Sequence, residues 1–132
     1  MNKNDRAILL SKTNGRCGYC GDPLDGIKWH ADHIEAVQRK SKIVKGRFVQ
    51  TGEMSKPEND HIGNMIASCP QCNILKSSQS VEMFRETIKD RLTQLERQSA
   101  YRTAKRYGMI QETNIEIVFY FERISKEEAI NA

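Results

Sequence analysis

GNMIASCPQCN, residues 63–73, decides how the rest of this chain is read. Cys69 and Cys72 form a CxxC pair, and a second pair, Cys17 and Cys20, stands in RCGYCGDPLDG (16–26). Each such turn presents two thiolates to one ion, and two turns complete a tetrahedral four-thiolate zinc site. A redox CxxC or unrelated buried thiols are the alternatives. The N-terminal MNKNDRAILLSKTNGR carries one short apolar patch among charged residues, which is a poor export signal. The expected compartment is therefore the cytoplasm, where thiols stay reduced and paired cysteines point to metal rather than disulfides. Cys20 and Cys69 are farther apart than the roughly 15–20 residues of a compact zinc ribbon, so an insertion lies between the knuckles.

The 132 residues suit one domain, 1–132, with a motif core over about 16–80 and a C-terminal part over about 81–124. A content of 38% hydrophobic and 29% charged residues is too apolar for disorder. No apolar run approaches the roughly 20 residues of a membrane span, so no membrane partner is expected. The patterning predicts an α+β fold. Residues 5–13 read as a helix stopped by Asn14-Gly15, and 27–37 as a strand. Residues 38–61 read as a long polar loop, and a helix starts at the second knuckle. Val81, Phe84, Ile88, Leu92 and Leu95 make one helical stripe over 81–96 behind a Ser80 N-cap. IEIVFYFERI (115–124) reads as a C-terminal strand with nothing structured after it.

The tripeptide Asp-His-Ile occurs twice, at 32–34 and 60–62. The first lies on the expected strand. Asn64 lies on the return leg before the second knuckle, and Asn73 follows Cys72 at the start of a helix. Strand, loop, return and helix, gripped at the base by zinc, can bring four polar side chains to one point. This arrangement resembles the HNH nuclease family, whose ββα-metal (His-Me finger) motif has a knuckle, a DH pair, a central Asn and a closing His or Asn. Here those positions read CGYC, DHI, GNMIASCPQCN and then Lys76, with Asn73 making an H-N-N variant. SVEMFRETI followed by IVFYFER is similar to the tail of phage and prophage HNH endonucleases, so the likeness covers about residues 16–123. It implies a metal-dependent endonuclease that nicks or cuts double-stranded DNA and leaves 5′-phosphate ends.

The chemistry of the residues agrees. Phosphodiester hydrolysis needs a base for water, and an imidazole with an ordinary pKa of about 6.5 is largely neutral at pH 7. His33 is the candidate base, with the Asn64 carbonyl expected to accept from its ring N–H. Asp32 and Asn73 offer hard oxygens to one divalent cation, and so few protein ligands suit Mg²⁺. Lys76 is expected to pair with a phosphate. His61 lies only three residues before Asn64 and is expected to be a loop histidine. His30 shares a strand face with Asp32 and carries no assigned role.

A net charge of +4 does not by itself prove a nucleic-acid partner. QRKSKIVKGR (38–47) is more telling: Arg39, Lys40, Lys42, Lys45 and Arg47 occur there without an acidic residue. These cations project from the nuclease-like motif and are expected to neutralise DNA phosphates. The competing expectation is a zinc-ribbon DNA- or protein-binding module without catalysis, which has no need of Asp32, His33 and Asn73 together. Cutting both strands would require a homodimer or a phage partner protein, since one such unit has one active site. For a phage-encoded chain, the compartment is the host cytoplasm.

Overall fold

Asn2 opens the first helix: its Oδ1 accepts from the Asp5 N–H at 2.8 Å. The computed structural model describes residues 1–131, with side chains described as far as Glu127. Helix α1 (Lys3–Lys12) ends where Asn14 and Gly15 turn left-handed, as the Asn-Gly pair predicts. Its Leu9 is fully buried, and Lys12 Nζ donates to the Met65 carbonyl at 2.9 Å.

Among the described residues the fold is mixed α+β, with five α-helices and two antiparallel sheets of two strands each. Strand β1 (His30–His33) pairs with β4 (Met65–Ser68) in the register His30 to Ser68 and His33 to Met65. Helix α2 (Pro70–Lys76) follows β4 directly; the Cys69 sulfur at its N-cap accepts from the Cys72 N–H. The first knuckle lies against β4 so closely that a Cβ on Gly18 would stand 2.1 Å from Ile66 Cδ1. Only glycine fits there, and its N–H donates to the Ala67 carbonyl at 2.8 Å.

Two expectations are corrected. Most of the expected loop at 38–61 is a hairpin, β2 (Arg39–Val44) and β3 (Arg47–Met54), and only 55–61 stays irregular apart from a 3-10 turn at Pro57–Asn59. Lys45 and Gly46 both have positive φ, 51° and 77°, as a two-residue primed turn requires. The strand alternation expected of a half-buried sheet is missing because this ribbon is exposed on both faces. The second correction concerns 115–124, which forms no strand. Residues up to Phe119 pair with no strand, and helix α5 (Tyr120–Asn131) begins in the middle of that stretch and extends beyond it. Of the alternating residues, Phe119 lies in the core and Ile117 packs against it, while Ile115 is exposed. Backbone groups that a partner strand would have satisfied go to the first knuckle: the Tyr120 and Phe121 N–H groups donate to Tyr19 and Gly18.

Helix α3 (Val81–Glu96) has the predicted bounds and cap, with the Ser80 hydroxyl accepting from the Met83 N–H at 3.1 Å. A separate helix α4 (Ser99–Arg106) follows it. Tyr19, between the knuckle cysteines, centres the core: its ring meets Phe84, Phe119 and Phe121 edge to face at 5.3, 5.5 and 6.0 Å. No described helix is long and apolar enough to cross a membrane.

Candidate functional site: a cysteine cluster and the cleft beside it

The two knuckles bring Cys17, Cys20, Cys69 and Cys72 together, with their sulfurs all within 4.8 Å of one another. Cys20 and Cys69 are 3.9 Å apart, far from the roughly 2.0 Å of a disulfide. Tetrahedral thiolates about 2.3 Å from one zinc ion lie about 3.8 Å from each other, so the spacing fits that ion. Backbone N–H groups already face the sulfurs, Cys69 N–H donating to Cys17 at 3.3 Å and Cys72 N–H to Cys69 at 3.4 Å. Donation from the Cys72 thiol, helped by backbone N–H groups and opposed by burial, brings the Cys17 thiol down to about 4. Burial pushes Cys20 up to about 12, and Cys72 is raised by its bond to Cys17. Cys17, the most buried of these thiols, is thus the one that ionises most readily.

Beside this cluster, β1, α2 and the hairpin enclose a cleft of about 840 Å³, lined among others by Asp32, His33, Asn73, Arg39, Gln50 and Ser77. Three of the four polar residues expected to converge do so. Asp32 is buried, and its Oδ2 accepts from the Tyr19 hydroxyl and lies 3.2 Å from Lys76 Nζ. Both contacts fall on one oxygen, leaving Oδ1 without a partner among the described residues. Burial, together with this contact with Asp32, pushes the Tyr19 phenol far up.

Lys76 departs from its expected role. Its side chain is 0% exposed, and Nζ donates to the His33 carbonyl at 2.8 Å as well as facing Asp32. It therefore ties helix α2 to strand β1 from inside and is not displayed to a phosphate.

Asn64 departs as well. Its Oδ1 accepts from the Glu35 N–H at 3.1 Å, and its Nδ2 donates to the carbonyls of Glu35 and Asn59, both at 2.8 Å. No bond joins it to the imidazole. The partner of His33 is Asp60, which the sequence reading missed: His33 Nε2 and Asp60 Oδ1 are 2.9 Å apart. Asn64 acts one step back, holding the chain on either side so that Asp60 meets the ring. The two Asp-His-Ile copies are thus joined, His33 of the first to Asp60 of the second. The only sequence signal was the repeat itself, because the contact spans 27 residues. His61 is exposed, and its ring overhangs Gly63. His30 is exposed at the outer end of β1, away from the cleft lining.

Of the basic residues, Arg39 lines the cleft, while Lys40, Lys42, Lys45 and Arg47 are exposed along the hairpin. Lys40 lies 3.8 Å from Glu53, and both are open to water. No protein-family model, curated protein or solved structure matches this chain.

Proposed function

We propose that this protein is a metal-dependent endonuclease of the HNH type acting on duplex DNA. The observation that carries the reading is the meeting of Asp32, His33 and Asn73 in one cleft beside the cysteine cluster. The antiparallel pair β1–β4 followed directly by α2 has the strand order of a ββα-metal unit, and structural zinc in the cluster would grip its base.

Pairing of His33 Nε2 with Asp60 fixes the tautomer that leaves Nδ1 as the acceptor. Nδ1 takes a proton from water as the water oxygen bonds to phosphorus. The bond from phosphorus to the 3′-oxygen breaks, leaving a 5′-phosphate and, once that oxygen is protonated, a 3′-hydroxyl. Asp32 Oδ1 and the Asn73 side-chain oxygen would hold a divalent cation such as Mg²⁺, which supplies charge against the developing phosphorane. Tyr19 and Lys76 keep the other Asp32 oxygen fixed, so the free one is aimed before substrate arrives. Arg39 at the cleft rim offers a cation to a neighbouring phosphate.

Incubation with supercoiled plasmid and Mg²⁺ tests this reading. Wild type should yield nicked circles, and His33→Ala should be slower by about 10²-fold or more. A folded, zinc-loaded wild type that leaves plasmid intact, or a His33→Ala variant of normal rate, removes the proposal.

A further inference from the structure

The β2–β3 ribbon has two unlike faces. Side chains alternate along a strand, and Ile43 pairs with Phe48 while Ser41 pairs with Gln50. Those four share one face, and Gln50 turns that face toward the cleft. Lys42, Val44, Arg47 and Val49 occupy the other face. Phe48 is 82% exposed and Ile43 69%, so the cleft-side face ends in an aromatic–aliphatic pair left open by the described residues. Such a pair on a projecting ribbon marks a contact surface.

Charge identifies what covers it. From Arg39 to Met54 the ribbon carries five cations and a single carboxylate, Glu53. An acidic polymer with apolar layers inside it meets both features, and duplex DNA is one: phosphates outside, stacked bases within. A two-stranded ribbon is also narrow enough to enter a groove. We infer that the ribbon enters duplex DNA beside the cleft and that Phe48, backed by Ile43, wedges one base step apart while the neighbouring cations hold the flanking phosphates. Unstacking kinks the duplex and swings a phosphate toward His33. The inference rests on the nuclease reading for the identity of the polymer, but needs no cleavage.

The test uses the full chain without added Mg²⁺ and a duplex bearing 2-aminopurine at a pyrimidine–purine step, the kind most easily unstacked. Wild type at saturation should raise the fluorescence. Phe48→Ala, at a site too exposed to affect folding, should bind about tenfold more weakly, as loss of one base–aromatic stack implies. It should give no rise at saturation, and its salt dependence should be unchanged because no phosphate contact is lost. Lys42→Gln with Arg47→Gln should do the reverse, flattening the salt slope while the rise survives. No rise with wild type, or a Phe48→Ala variant with normal affinity and fluorescence, overturns the wedge. So does a wild-type dimer that Phe48→Ala dissociates, since a second copy would then cover the patch. Plasmid nicking measured in parallel separates the two readings: nicking without a fluorescence rise removes the wedge alone, and a rise without nicking removes the nuclease alone.

Discussion

The two sheets of this protein differ in what covers them. In β1–β4 the residues Asp32, Ile66, Ala67 and Ser68 are buried, and the first knuckle, α1 and α2 lie against the pair. In β2–β3 every residue but Met54 is exposed, although its strands are longer. Length therefore says little about which sheet organises the molecule. The short one is held by the cysteine cluster and by the inward lysine, Lys76, and it carries the candidate chemistry. The long one carries cations and an uncovered apolar pair.

Removing a cysteine should break that contrast most severely. Four thiolates around zinc form a closed site whose binding free energy, about 10 kcal/mol or more, is part of folding. Cys69→Ser should give an unfolded or insoluble chain, checked by zinc content beside circular dichroism. Excess Mg²⁺ should not rescue it. A Cys69→Ser chain with wild-type dichroism and melting would mean that β1–β4 stands without an intact cysteine cluster.

The next effect lies in the joined Asp-His-Ile copies. If the proposed nuclease reading holds, Asp60→Ala should slow plasmid nicking by about 10- to 100-fold, the cost typical of losing a carboxylate that orients a metal-bound histidine. His61→Ala should leave nicking within a factor of about two, because surface changes away from contacts have little effect. Circular dichroism of both variants separates loss of orientation from loss of fold, since only the latter changes the spectrum. Equal effects in the two variants would dissolve the distinction between the copies.

Local signals made most of the scaffold legible. The CxxC pairs, the Ser80 cap and the stripe on α3 all act within a few residues, and Asn14-Gly15 ended α1 as expected. Asp32, His33 and Asn73 were legible for the same reason, each standing in a short motif. Lys76 was misread because helical spacing placed it near Asn73 but not which way it turned. Its inward direction is set by the His33 carbonyl and by Asp32, which receive the ammonium group in the folded chain. Asp60 and the real role of Asn64 depend on contacts closed by tertiary structure, with no local pattern. The hairpin was missed because a strand exposed on both faces lacks the alternation by which strands are read. Its surviving signal was Lys45-Gly46 between two runs of β-forming residues.

A smaller change sharpens the ribbon's side of the contrast. Replacing Lys40, Lys42 and Lys45 together by Gln should leave the melting temperature in place, since all three are exposed. Each lost phosphate contact removes about 0.9 from the log–log salt slope on duplex DNA, so the slope should fall by up to about 2.7. Lys40 contributes least because Glu53 already lies near it. An unchanged slope would show that the ribbon never meets the phosphate backbone.

Acid should distinguish the ribbon from the packed helices most gently. Arg85 on α3 grips both oxygens of Glu122 on α5, at 2.8 and 2.9 Å, and also donates to the Ile117 carbonyl at 2.7 Å. The Arg85 guanidinium, helped by the Phe119 N–H and opposed by burial, holds the Glu122 carboxyl below its usual range. A carboxyl depressed in the folded chain stabilises it fully above the unfolded value of about 4.3, and that contribution fades as pH falls through the folded value. Glu122→Gln should therefore cost about 1 kcal/mol near neutrality, below the roughly 1.5–3 kcal/mol of hydrogen bonds to a charged group because the pair keeps some contact with water. The gap between wild type and variant should close on acidification, because protonated wild type resembles the variant. Glu53→Gln on the ribbon should leave stability near neutrality unchanged, since its lysine lies 3.8 Å away in open solvent. Urea titrations of the three chains across that pH range measure both gaps. A Glu53→Gln gap as large as that of Glu122→Gln would mean that the ribbon is built into the fold after all.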